Sequence, residues 1–193
     1  MVDGIRTETV IYGGAFNPPT VAHQVILQKC VDYAQENGAD VWLLPSGDRT
    51  DKKITVSRET RLAYLDAMIA DLHNAGVKVE VLTTELDRAI SVETYDTALE
   101  LAEAYPERSF TWVFGADSTE TMLEWKEGQW LLDNVDMLLI ERPGSKVNPA
   151  VKNWSPLYVP SMDVSSTELR RRVAAGEAFE DMVSPSVYRL LTS

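Results

Sequence analysis

The chain has 193 residues, 45% of them apolar and 25% charged, and carries a formal net charge of -12. That length suits one domain with a full hydrophobic core, and the composition is that of an ordinary soluble globular chain. The acidic balance argues against a general nucleic-acid surface, whose footprint is a basic stripe.

No apolar run is long enough to span a bilayer, so no membrane partner is expected. Met1-Val2-Asp3-Gly4 lacks the charged-then-apolar layout of a secretory signal. The single cysteine, Cys30, cannot form an internal disulfide and reads as a small core residue. Both features point to the cytoplasm. Basic residues are nevertheless clustered, at Arg49, Lys52 and Lys53 and again at Arg170, Arg171 and Arg172, which leaves room for an anionic small molecule.

Strand and helix patterns alternate from end to end. They predict an α/β fold with a doubly wound parallel sheet, helices on both faces and a small helical C-terminal part from about residue 164. Thr9 to Tyr12 reads as the first strand, and Thr20 to about Glu36 as the first helix, closed by Asn37-Gly38. Val41 to Pro45 is a second strand, and Ser57 caps a helix reaching about His73. Val77 to Leu82 is a third strand and Glu93 to Ala104 a third helix. Phe110 to Phe114 is the central strand that feeds Gly115-Ala116-Asp117-Ser118. Asp136 to Ile140 and a short Leu157 to Val159 complete the sheet, and helices start at Thr167 and Pro185. Residues 144–156 are the expected flexible connection.

Val10 to His23 carries the first motif: a buried strand, Gly13-Gly14, a proline-bounded turn, then a helix. Ligands in open α/β sheets bind beyond the strand ends where strand order reverses, and the free N–H groups of a helix's first turn favour an anion. In the doubly wound order the first and fourth strands are those neighbours, so Gly13-Gly14 and Gly115-Ala116-Asp117 should flank one crevice. Thr20 and His23, three apart, share a helix face. Neither a Walker loop nor a Gly-x-Gly-x-x-Gly run is present.

The run Gly13-Gly14-Ala15-Phe16-Asn17-Pro18-Pro19-Thr20-Val21-Ala22-His23 resembles the nucleotidyltransferase signature Gly-[Gly/Ser]-x-Phe-[Asp/Asn]-Pro-x-[His/Thr]-x-x-His. Over nearly the whole chain it is similar to the nicotinate (or nicotinamide) mononucleotide adenylyltransferases, which implies a Rossmann-like fold. The resemblance implies that Gly13, Gly14, Ala15 and Phe16 bind ATP and that Thr20 and His23 are catalytic. Lys52 or Lys53, in the loop after the second strand, would reach the triphosphate. Lys53 is carried forward with the catalytic set, although a solvated loop would explain either lysine, and Arg61 matches an arginine on the next helix.

Further along, Glu85-Leu86-Asp87-Arg88 and then Ser91, Thr94, Asp96 and Thr97 resemble the segment that holds the pyridine mononucleotide, with Glu93 standing where the family has tyrosine. Thr94 carries over as a pyridine contact; alternatively Ser91 or Thr94 simply caps a helix. Gly115-Ala116-Asp117-Ser118 matches the family's Gly-Ala-Asp-Ser. Asp117 suits a ribose diol, because a carboxylate accepts from two hydroxyls. Trp125, rather than Trp130, matches the tryptophan that stacks on the pyridine. Arg142, in Arg142-Pro143-Gly144, would lie near the mononucleotide. Val164-Ser165-Ser166-Thr167-Glu168-Leu169-Arg170 matches the Ser-Ser-Thr segment, giving Ser166 and Thr167 to ATP and Arg170 to catalysis. Ser165 and Glu168 also make a capping-box pattern, which would leave the Ser166 and Thr167 hydroxyls for an anion. Arg171 and Arg172 read as solvated.

The reaction implied is adenylyl transfer from ATP to nicotinate mononucleotide, with Mg2+ carried on the triphosphate. Two histidines and one cysteine give no zinc site. Within the enzyme class the alternative acceptors are nicotinamide mononucleotide and another small phosphate such as phosphopantetheine. A class I aminoacyl-tRNA synthetase shares the motif's logic, but this chain is short and acidic for tRNA. A nucleotide-binding regulator without turnover is the alternative from a different class. Oligomeric state is not legible.

Overall fold

The computed structural model describes residues 6–47, 56–88, 93–141 and 144–193. Its centre is β1, Thr7–Gly14, in which Val10 and Ile11 have no exposed surface. Such a two-sided apolar run is what a strand covered on both faces requires. Around it lie β2 (Asp40–Pro45), β3 (Val79–Val81), β4 (Arg108–Gly115), β5 (Asp136–Ile140) and β6 (Trp154–Pro156). They form one six-stranded sheet in the order β3-β2-β1-β4-β5-β6, every pair parallel. The order reverses between β1 and β4, as the doubly wound pattern predicts.

Strand alternation divides the core into two layers. Val10 and Tyr12 face Leu27, Val31, Leu65, Met68, Leu169 and Val187, supplied by α1 (Val21–Asn37), α2 (Arg58–Ala70), α6 (Ser166–Ala175) and α7 (Pro185–Thr192). Ile11 and Trp112 face Leu101, Leu131 and Leu132, from α3 (Thr94–Ala104) and α5 (Gly128–Asn134). A short α4, Ala116–Thr121, follows β4 directly. Gly38 closes α1 at φ 68°, the left-handed position that favours glycine. At the sheet end away from the glycines, Arg108 donates to Asp40 and Thr9, each at 2.7 Å, and lies 4.8 Å from the Trp42 ring centre.

Four expectations shift. The last strand is Trp154–Pro156 and not Leu157 to Val159. All three of its residues are exposed, so no apolar alternation marks it; Leu157, which suggested the strand, instead packs into the core just beyond. Residues 144–156, expected to be flexible, are pinned: Asn148 bonds the Thr119 hydroxyl at 2.9 Å and its carbonyl at 3.0 Å, and Val151 is buried. The second helix stops at Ala70, short of His73, and β3 spans only Val79–Val81.

Candidate active site

A cleft of about 760 Å3 opens at the carboxyl ends of β1 and β4. Gly13, Gly14 and Ala15 form its floor, with Gly115 and Ser118 across the strand reversal. A Cβ on Gly14 would stand 3.0 Å from the ring of the buried Phe16, which would have to give way by a few tenths of an ångström. Gly13 differs. A Cβ there would meet only the Leu44 carbonyl, at an ordinary 3.8 Å, and its φ is not in the left-handed range. Neither packing nor conformation demands that glycine, and its side-chain position borders the cleft.

The first turn of α1 forms one wall. Thr20 is the N-cap and His23 the third helical residue, and together they complete a capping box. The Thr20 backbone N–H donates to His23 Nδ1 at 3.0 Å, and the Thr20 hydroxyl oxygen is 2.8 Å from the same nitrogen. Phe16, expected among the ATP-binding residues, does not line the cleft. It is 1% exposed, at φ 45°, and packs edge-on against Tyr12 and His23, each with ring centres 5.4 Å apart. Its part is to hold the floor and the histidine from beneath.

The buried Arg61 braces the same turn from α2, donating to the carbonyl of Ala15 at 3.1 Å and to that of Ser46 at 2.7 Å. Ser46 also lines the cleft, and its buried hydroxyl has no partner among the described residues.

The opposite wall comes from α3 and the loops around it. Glu85, Glu93, Thr94, Glu124, Trp125 and Lys126 all line the cleft. Glu93 is the N-cap of α3 and Thr94 its first residue, so Thr94 is not the cap. Buried Thr97 donates to Glu85 at 2.9 Å, and a Cβ on Gly47 would lie 2.5 Å from the Glu85 carbonyl, so these segments pass in close contact. Arg88 pairs with Glu100 on α3. Trp112 and Phe114 alternate onto one face of β4 and stack with planes 7° apart. Half-buried Trp125 then meets Phe114 edge-on at 6.1 Å. Trp130 packs on Tyr95 instead. Lys126 binds Asp96 at 2.6 Å, and that hydrogen bond raises its pKa above the ordinary value.

The second anion-binding motif approaches from the C-terminal side. Ser165 accepts the backbone N–H of Glu168 at 3.2 Å, while the Glu168 carboxylate is taken up by Arg171 and Arg172, which hold its pKa down at about 2. Those two arginines are thus ion-paired on the surface and not merely solvated. The Ser166 hydroxyl, expected to be available to an anion, donates to the Pro18 carbonyl at 2.8 Å. Arg170 donates to the Asn17 carbonyl at 2.6 Å and to Thr167 at 3.2 Å. Ser166, Thr167 and Arg170 therefore gather against the Asn17-Pro18 turn, beside Val164 at the cleft wall.

Asp117 is exposed, with its carboxylate folded over Gly115, where a Cβ would be 2.2 Å from Oδ1. Lys53 and Arg142, with Lys52, Arg49 and Ser91, lie outside the described residues. Sequence reasoning missed Lys126, Glu124, Ser118 and Gly47 as cleft residues. Adjacency to Trp125 and Asp117 was the only available signal for the first three.

The cytidylyltransferase-like family pattern matches residues 11–172. The chain belongs to that family. It is 31% identical over 183 residues to the "Probable nicotinate-nucleotide adenylyltransferase" of Exiguobacterium sibiricum, covering 94% of each chain. With the protein of the same name from Enterococcus faecalis the identity is 34% over 178 residues, covering 89% of this chain and 76% of that one. Among solved structures, the nicotinic acid mononucleotide adenylyltransferase of Plasmodium falciparum complexed with NaAD superposes with a TM-score of 0.79 at 21% identity, covering 96% of this chain and 95% of the other. That likeness establishes the Rossmann-like fold. The strand reversal that carries the cleft is also where the run Gly13 to His23 lies, so sequence and geometry mark one place.

Proposed function

We propose that the protein transfers the adenylyl group of ATP to nicotinate mononucleotide, releasing pyrophosphate and forming the deamido dinucleotide of NAD biosynthesis. The observation that carries this is the meeting in one cleft of the Gly13-Gly14 floor, the Thr20-His23 helix start and the Trp125 wall. The two relatives above, both bearing the nicotinate-nucleotide adenylyltransferase name, support it.

The mononucleotide's phosphate oxygen attacks the α-phosphorus of ATP as the bond to the β-phosphate oxygen breaks. The nucleophile is already an anion at neutral pH, so no general base is required. Catalysis then consists of alignment and of donors aimed at charge developing on the transferred group. His23 would supply such a donor, and Thr20 would hold it. Gly13, Gly14 and Ala15 would let the backbone approach the phosphates, while Thr167, Arg170 and Lys53 would face the triphosphate and Ser166 would tie their helix start to Pro18. Thr94, Asp117, Trp125 and Arg142 would hold the mononucleotide.

Mg2+ would arrive on the triphosphate, held by phosphate oxygens and water; among the described residues no three His, Cys, Asp or Glu side chains gather as a cage. No described helix is long and apolar enough to cross a membrane, and we place the enzyme in the cytoplasm with its soluble substrates. One observation favours nicotinamide mononucleotide as a second acceptor: Glu93 and Glu124 line the cleft near Trp125, and a neutral carboxamide meets no repulsion there. Incubation of the purified protein with ATP and each mononucleotide, followed by pyrophosphate release, tests the proposal. Nucleotide binding without pyrophosphate would identify a regulator instead.

A further inference from the structure

Thr20 meets His23 twice on one atom. Its backbone N–H donates to Nδ1 at 3.0 Å, and its hydroxyl oxygen lies 2.8 Å from that nitrogen. An amide N–H can only donate, so Nδ1 must present its lone pair and carry no proton. In a neutral imidazole the proton then resides on Nε2.

The arrangement is a capping box with histidine in the place usually held by Glu or Gln. A carboxylate there would bring only acceptor oxygens. An imidazole gives one nitrogen to the cap and keeps a donor on the other. Three further features hold the ring in this state. Thr20 is 1% exposed, so water does not compete for the cap. Phe16 packs on the imidazole at 5.4 Å with planes 60° apart. A ring flip would exchange Nδ1 for a carbon and forfeit both contacts with Thr20.

We propose that Thr20 is a positioning residue that fixes His23 as its neutral Nε2–H tautomer, so that the cap of α1 presets the donor used on the reacting phosphate. The catalytic consequence rests on the adenylyl-transfer reading, whereas the tautomer does not. A preset donor needs no reorganisation as charge develops on the phosphate oxygens, which is where such donors act most strongly. It also explains why this helix start joins a hydroxyl and an imidazole at i and i+3: one residue sets the proton that the other uses.

The test is the 15N spectrum of the histidine rings in the free chain at neutral pH. The sequence holds two histidines, and a His73→Gln variant assigns them. We expect a pyridine-type Nδ1 and a pyrrole-type Nε2 for His23. A protonated Nδ1 in the parent protein overturns the proposal, and this readout stands even where variants fail to fold. Thr20→Ser, which keeps the hydroxyl, should keep the signature. Thr20→Val keeps the backbone N–H on Nδ1 but lacks the hydroxyl, so its ring shifts should move part-way toward tautomer averaging, with kcat reduced about tenfold and the KM for ATP little changed. A loss of kcat in Thr20→Val with unchanged ring shifts would make Thr20 purely structural and would also overturn it. His23→Gln, whose amide nitrogen can replace an Nε2 donor, should retain more activity than His23→Asn or His23→Ala; equal losses would contradict the Nε2 assignment. Absence of pyrophosphate release by the parent protein counts against adenylyl transfer alone, because the spectrum is read without substrate.

Discussion

Arg170 donates through Nη1 to the backbone carbonyl of Asn17 at 2.6 Å, joining positions 153 residues apart. The first turn of α6 is thereby fastened to the turn that precedes α1, and the adjacent Ser166 bond to Pro18 reinforces it. The two helix starts act as one unit. Arg170→Ala should raise the KM for ATP more than that for the mononucleotide. Steady-state kinetics with each substrate varied in turn checks this; equal losses would mean that Arg170 only holds the turn.

His23→Ala should lower kcat by about two orders of magnitude or more, the scale of removing one preorganised donor to a developing oxyanion. Circular dichroism should show the fold retained, because α1 is held by Leu27, Val31 and Ala34 in the core. Near-normal kcat in a folded variant would remove His23 from the mechanism.

Gly13→Ala separates a ligand's need for space from the protein's own. The added methyl has room, being 3.8 Å from its nearest neighbour. Its Tm should therefore stay close to the parent's while kcat/KM for ATP falls about a hundredfold, as small misplacements of reacting groups do. A contrasting variant, Gly128→Ala, would drive its Cβ to within 1.9 Å of the Met122 carbonyl and should destabilise the fold.

Trp125→Ala should weaken the mononucleotide about ten- to a hundredfold and leave ATP almost unaffected, since stacking acts on a ring and not on phosphates. In the parent protein, kcat/KM for nicotinate mononucleotide should exceed that for the nicotinamide form. A ratio near one would show that Glu93 and Glu124 offset the attraction of Lys126 for the nicotinate carboxylate.

Asp71 fixes the C-terminal helix, accepting from the Ser186 backbone at 2.7 Å and the Ser186 hydroxyl at 2.6 Å at the start of α7. Burial works to raise its pKa, but the two bonds from Ser186 and the charge of Arg189 hold it below the ordinary carboxylate range. A folded pKa below the unfolded one gives stability that is present above the unfolded value and lost as pH falls through the folded one. Asp71→Asn should therefore cost about 1 kcal/mol at neutral pH, typical of a helix cap, with the deficit shrinking in acid. Urea denaturation at several pH values measures it; a deficit independent of pH would show that the carboxylate charge is not what holds α7.

Much of the site was legible because its signals are local. The buried run of β1, the Gly13-Gly14 turn, the spacing of Thr20 and His23, and the Ser165 cap each reside in a few consecutive residues, where backbone sterics and hydrogen-bonding needs leave little choice. Strand order followed too, since alternating strands and helices wind a parallel sheet with one reversal. The sequence did not reveal that Phe16 lies beneath the floor, that Arg61 braces Ala15, that Ser166 spends its hydroxyl on Pro18, or that Asp117 folds over Gly115. It also misplaced the last strand, because a short edge strand is defined by backbone pairing with β5 and not by side-chain pattern. Those facts depend on how far each helix is rotated and where each loop crosses. Packing between residues distant in the chain decides that, and local periodicity does not encode it.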